Sequence, residues 1–286
     1  MAYTLLSSRI QGDIENIFKV EYSIDAIKNS LFHYTGRDSF ELILKNKNIR
    51  YGKVNNLNDK DEIDFGWNII KEAYRVLFHK PFNELDFDSE ISNPDVFVFS
   101  TSQCEDNLSM WGRYGDQCEG VSIELNGKKY FSDANSYFSK NSKFLAFYRL
   151  PVQYCELKHG KAFDIDEPIK KITSIFNHIS QCYEKRKQAN QQITDILRSY
   201  PSYKYLLSSM IKRKFWEEEK EVRFAVLLDS FNNDFIEHEF ENSFNELVKG
   251  IYIGPKNKDI NKREMEKLTN GIFEPTSIKL SKGNMR

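Results

Sequence analysis

The sequence predicts an α+β fold with a mixed sheet, because β-rich segments gather towards both ends of the chain around a helical middle. Two further observations bound that prediction. The 286 residues are 40% hydrophobic, enough to fill a sizeable core, and neither an internal repeat nor a low-complexity linker divides them. A single domain over residues 1–286 is therefore expected, with a mainly helical insertion or lobe at about residues 165–214.

Taken in order, Ser30 to Tyr34 is an apolar, aromatic run that reads as a strand. Asp38-Ser39 then opens a short helix with Phe40, Ile43 and Leu44 on one face. Ile49 to Gly52 suggests a second strand, and Asn55 to Asp59 a polar loop. Ile63, Trp67, Ile70, Tyr74 and Leu77 recur every three or four residues and predict a helix that ends before Pro81. Asp95 to Ser100 is dense in β-formers. The helix after it is capped by Asp106 or Asn107 and carries Trp111 and Tyr114. Gly120 to Leu125 is a strand candidate, and Phe144 to Cys155 holds one or two more around Pro151. A helical run follows from Glu167 to about Arg213, broken at Tyr200-Pro201, its apolar stripe reading as packing. Glu221 to Leu228 and Leu247 to Ile253 are apolar strands, the latter closed by Gly254-Pro255, and Lys258 to Thr269 reads as a surface helix.

Composition excludes several classes of function. With 41 basic against 42 acidic side chains, no global field draws the chain to nucleic acid or to an anionic membrane. No stretch nears the roughly 20 apolar residues that a membrane span needs. The start MAYTLLSSRIQGDIE lacks a basic region followed by an apolar run, so a cytoplasmic protein with no membrane partner is expected. The four cysteines (Cys104, Cys118, Cys155 and Cys182) stand far apart and read as buried thiols, and the five histidines are scattered, so no metal is expected. The glycine-rich phosphate loops and the G-x-S-x-G elbow are missing from the sequence, which removes support for nucleotide hydrolysis, Rossmann binding and α/β-hydrolase chemistry.

Three segments can carry chemistry. His33 stands on an apolar strand just before a turn. Such a histidine is usually a satisfied core residue, but with Tyr34 and Thr35 beside it the imidazole can hold a ribose hydroxyl and the phenol ring can face a planar group. Ser100-Thr101-Ser102 ends a strong strand, where hydroxyls either cap a turn or brace a ligand, with Trp111 and Tyr114 as a stacking wall or as core. Finally, if a strand begins near Glu219, then Glu219, Glu221 and Arg223 share a face opposite Val222 and Phe224. Two carboxylates and a guanidinium so placed form a plain ion pair, hold a diol, stabilise developing positive charge, or raise one carboxyl pKa for acid-base work.

In order along the chain stand Phe32-His33-Tyr34-Thr35, Ile43-Leu44, Asn58-Asp59 with Glu62, Phe99-Ser100, Leu108-Ser109-Met110-Trp111 with Tyr114 and Gly120, Trp216-x-x-Glu219-x-Glu221-x-Arg223, and Ile251 to Pro255. From residue 31 to about 270 this order resembles a bacterial domain of unknown function, family 2971 (DUF2971). A strand-borne histidine before a turn and an Ile-Leu helix, a Ser/Thr strand, and a glutamate on a later strand also resemble NAD-using ADP-ribosyltransferases. The second resemblance implies a sheet core of that type, NAD as substrate and a macromolecular acceptor, as in a toxin or phage-defence effector. It further implies His33 on a ribose hydroxyl, Tyr34 or Tyr114 on nicotinamide, and Ser100 or Ser102 as a brace. Glu221, with Glu219 as alternate, would meet the nicotinamide-ribose 2′-hydroxyl and steady the oxocarbenium-like transition state. Arg223 would grip the pyrophosphate or pair with Glu62 or Asp59. Two alternatives stand beside it. One is a non-catalytic module that senses a nucleotide or ADP-ribose and signals to a partner protein through the middle helices. The other is a metal-independent nuclease or phosphodiesterase using His33 and the acidic cluster.

Overall fold

A computed structural model describes residues 29–57, 61–79, 95–156, 166–187, 203–229, 231, 233–242, 244–257, 262–270 and 278–283. Asn58, Asp59, the expected break at Tyr200-Pro201 and the Cys182 side chain lie outside the described residues.

The strands are β1 (Ser30–Thr35), β2 (Asn48–Lys53), β3 (Asp95–Ser102), β4 (Val121–Asn126), β5 (Phe144–Pro151), β6 (Gln153–Cys155), β7 (Ile211–Arg213), β8 (Glu221–Leu228), β9 (Phe235–Glu239), β10 (Val248–Ile253) and β11 (Ile278–Leu280). Nine of them form one mixed sheet, with β10 and β11 parallel and the other pairs antiparallel. The expected mixed-sheet fold is present, with helices on its faces.

β3 is the branch point of this sheet. One of its edges pairs with β8 from Asp95–Leu228 to Ser102–Glu221. Its other edge is shared: β2 pairs at Phe97 and Val98, whereas β1 meets it only at Phe32–Ser102. Beyond that pair β1 and β3 part, and the His33 side chain spans the gap, its Nδ1 3.1 Å from the Ser100 carbonyl oxygen.

Alternation along β8 divides the interior into two cores. Val222, Phe224, Val226 and Leu228 join the cluster beneath β1, β4 and β10, while Ala225 and Leu227 face the helices Glu62–Phe78 and Glu167–Lys187. Glu221 and Arg223 share the period of Ala225 and Leu227, so they enter the helical side. There the Glu62–Phe78 helix touches the helical residues 203–208 backbone to backbone, because a Cβ on Gly66 would stand 2.1 Å from the Ser208 carbonyl oxygen. That contact brings Glu62 and the Ser209 carbonyl up to β8.

The end of the expected middle helix is a strand instead. Ile211-Lys212-Arg213 pairs in parallel with Gln153-Tyr154-Cys155, which gives the chain preceding β8 a two-stranded support. The helix Gly127–Ser139 and the strands β9 and β11 were not expected. Asn126 caps that helix through Lys129 N–H, and Tyr130, Ala134 and Phe138 bury its inner face.

Candidate functional site

A cavity of about 590 Å³ opens where β1 leaves β3. His33 and Tyr34 of β1, Ser100 and Thr101 of β3, Tyr114 of the helix Leu108–Tyr114, and Glu221 and Arg223 of β8 all line it. Glu219, Lys212, Glu62, Trp216 and Met110 complete most of the wall.

Burial lowers the His33 pKa, and the Ser100 carbonyl offsets this only in part. A carbonyl accepts and never donates, so the proton of the neutral ring sits on Nδ1. Nε2 is left as a lone-pair acceptor on a side chain that lines the cavity. The Tyr34 hydroxyl donates to the Cys104 carbonyl at 2.8 Å and accepts from Asn107 N–H at 3.3 Å, so this tyrosine offers the cavity a ring and not a free hydroxyl.

Glu221 is fixed by two cations. Arg223 donates from Nε to Oε1 at 2.7 Å and from Nη2 to Oε2 at 3.1 Å, and Lys212 Nζ donates to Oε2 at 2.9 Å. Burial alone would raise its pKa. The charges of Arg223 and Lys212 and the bonds from Arg223 and the Ser100 hydroxyl outweigh burial and lower it to about 2. The option of a raised carboxyl pKa for acid-base work thus fails at Glu221, which acts only as a fixed negative charge.

Arg223 Nη1 turns away to Glu62 Oε1 at 2.5 Å and to the Ser209 carbonyl oxygen. Burial would lower its pKa, but the Glu221 and Glu62 charges raise it. A guanidinium only 1% exposed and occupied on every nitrogen is unsuited to gripping a pyrophosphate, and the pairing expected with Glu62 is the one observed.

Glu219 reaches the same wall by a different route from the expected strand. It ends the 3₁₀ turn Lys214–Glu219, and Lys220, with φ 41°, reverses the chain before β8 begins at Glu221. The Tyr114 hydroxyl donates to Glu219 Oε1 at 2.8 Å, Lys212 donates to Oε2 at 2.8 Å, and Arg113 Nη1 lies 3.5 Å from Oε1. Burial raises the Tyr114 pKa. Ser102 does not line the cavity: its hydroxyl donates to the Glu219 carbonyl at 2.6 Å and accepts from Cys104 N–H, which fixes the turn from behind. Thr35 and Trp111 also stand off the wall. Thr35 is paired with Val121, and Trp111 is fully buried, packed edge-on to Tyr34 with its Nε1 donating to Asp106 Oδ1 at 2.7 Å.

Lys212 is the residue that the sequence reading passed over. Its ammonium joins Glu219 and Glu221 and lies 3.6 Å from Glu62, and despite burial these carboxylates raise its pKa. Assigning Ile211 to Arg213 to a helix concealed the strand geometry that sends Ile211 into the core and the Lys212 ammonium into the cavity and leaves Arg213 exposed. The inner cluster holds three carboxylates (Glu62, Glu219, Glu221) against two buried cations (Lys212, Arg223). Among the described residues, no group of three or more His, Cys, Asp or Glu side chains is arranged to hold a metal, and no helix is long and apolar enough to cross a membrane.

Fold and site together define a mixed α/β protein built around a charged, aromatic-walled cavity. Residues 110–224 match the model of a family described as "Protein of unknown function (DUF2971)". The match carries Tyr114, Lys212, Glu219, Glu221 and Arg223 and leaves His33 and Glu62 outside it. No curated protein and no solved structure matches the chain.

Proposed function

We propose that this cavity binds NAD and that the protein transfers its ADP-ribose to a macromolecular acceptor. One observation carries the reading: on the adjacent strands β1, β3 and β8, His33, Ser100 and Glu221 meet on one cavity wall, with Glu221 held ionised. The neutral His33 ring suits a ribose hydroxyl as donor to Nε2. The rings of Tyr34 and Tyr114 suit the nicotinamide face.

In the reaction, the bond between C1′ and the nicotinamide nitrogen breaks and its electron pair stays on nicotinamide. C1′ gains positive charge until the acceptor's nucleophile bonds to it and releases a proton to solvent. Glu221, held ionised on the cavity wall, stabilises that charge more strongly in the transition state than in the ground state.

The engagement of both Glu221 oxygens favours a second reading, in which the cavity senses the dinucleotide or ADP-ribose without turnover. Incubation with labelled NAD and with protein or nucleic-acid acceptors, following nicotinamide release and label transfer, separates the two. Release with transfer supports the first reading, and tight NAD binding without release supports the second. Failure to bind NAD overturns both, and nucleic-acid cleavage without NAD would replace them with a hydrolase.

A further inference from the structure

Two acceptors on the cavity wall are left open by the protein's own hydrogen bonds. Glu62 lines the cavity and is only 5% exposed, and its Oε1 accepts from Arg223 Nη1 at 2.5 Å. Its Oε2 has no hydrogen bond among the described residues: the Lys212 ammonium stands 3.6 Å away and donates instead to Glu219 and Glu221, at 2.8 and 2.9 Å. His33 Nε2 is the other, since Nδ1 holds the proton of the neutral ring against the Ser100 carbonyl. A buried carboxylate oxygen without a donor is costly to the fold, so this one points to a ligand's N–H or O–H.

The hydroxyls and cations of the same wall are already engaged. Tyr34, Ser100, Thr101 and Tyr114 donate to the Cys104 carbonyl, the Glu221 carboxylate, the Val222 carbonyl and Glu219. Lys212 and Arg223 are held by Glu62, Glu219 and Glu221, and Arg113, 3.5 Å from Glu219, balances the third carboxylate. A phosphate therefore finds no uncommitted cation among the described residues of this wall, whereas a group that donates finds two open acceptors.

We propose that the cavity reads the nicotinamide riboside half of NAD, with Glu62 Oε2 accepting from the carboxamide N–H and His33 Nε2 from a ribose hydroxyl, while the pyrophosphate and adenosine stay outside. This rests on the NAD reading and names the part of the dinucleotide that the site recognises. Glu62 is then the residue that sets specificity for the base. A carboxamide donates where a carboxylate cannot, so Glu62 separates nicotinamide from nicotinic acid, whose anion would meet a second anion in a buried site.

The test is calorimetric titration of the full chain with NAD, nicotinamide riboside, its 5′-phosphate and nicotinic acid riboside. The riboside is expected to bind within about tenfold of NAD, and its 5′-phosphate to change the Kd by less than about threefold, because neither phosphate nor adenosine adds contacts in the cavity. Nicotinic acid riboside should bind about tenfold or more weakly than the amide. Glu62→Gln, first shown to be folded by its thermal transition, should bring the ratio of amide to acid affinity towards one, a change that loss of packing alone would not select. If that variant does not fold, the wild-type ligand series decides by itself. NAD bound with the riboside unbound, a 5′-phosphate that tightens binding by about tenfold or more, or the acid bound as well as the amide overturns the inference and leaves the NAD reading in place. Binding of neither NAD nor the riboside overturns both.

Discussion

Arg223 grips Glu221 with two hydrogen bonds, at 2.7 and 3.1 Å, although the two residues stand only two apart on one strand. Both side chains leave the same face of β8 and fold together there, so the pair is local in sequence yet buried in the middle of the molecule. Removing one partner strands the other's charge. Arg223→Met is expected to cost about 3–5 kcal/mol, because Glu221 and Glu62 both lose their guanidinium. Glu221→Gln with Arg223→Met is expected to cost less than the two changes summed. Urea denaturation of the four chains in that cycle measures the coupling.

Acid sensitivity follows from two groups of the same sign. His33 has a folded pKa below its ordinary 6.5, so its contribution is complete at higher pH and is lost as pH falls below 6.5 towards the folded value. Glu221 goes from an ordinary 4.5 to about 2 in the fold, so its contribution is present above 4.5 and disappears between about 4.5 and about 2. The denaturation midpoint is therefore expected to decline in two stages on acidification. His33→Gln should remove the upper stage and leave the lower one.

Two glycines of one chain are expected to respond in opposite directions. Gly66→Ala drives a Cβ against the Ser208 carbonyl and separates the elements that carry Glu62 and Ser209, at about 1–3 kcal/mol. Gly112→Ala, where nothing lies within 4 Å of the new Cβ, is expected to stabilise the Leu108–Tyr114 helix by about 1 kcal/mol. Thermal unfolding reads both.

Asp116, Gln117 and Cys118 have successive φ values of 48°, 52° and 79°, all left-handed and none of them glycine. Backbone bonds hold this turn, among them Gly120 N–H to the Gly115 carbonyl at 2.8 Å and Gly254 N–H to the Gly120 carbonyl at 2.9 Å. Exposed Gln117 pays the left-handed cost without a packing return, so Gln117→Gly is expected to be neutral or to stabilise by up to about 1 kcal/mol. Gln117→Val should destabilise. Denaturation midpoints order the three.

Much of the sheet was legible because its strands are short apolar runs bounded by turns. β8 is Glu221–Leu228 as expected, and β1, β3 and β10 fall within a residue or two of their predicted places. β9 was missed, although Ile236 and His238 are buried between the outward carboxylates of Glu237 and Glu239, because a polar His at an inward position masks the period. His238 is paid for locally by Asp133 Oδ2 at 2.9 Å, a partner from another element that no spacing announces. The site divides in the same way. The Glu221 and Arg223 face could be read from alternation within one strand. Lys212 and the route of Glu219 depend on a parallel pairing and on a left-handed residue, both set by tertiary contacts.

The proposed NAD chemistry is put to the test by nicotinamide release from NAD by the wild-type chain and by Glu221→Gln, each first shown to be folded by its thermal transition. Release by the wild type is expected, with a loss of about 10²- to 10³-fold in the variant, since the variant lacks the fixed charge proposed to face C1′. Equal release by the two proteins would contradict it.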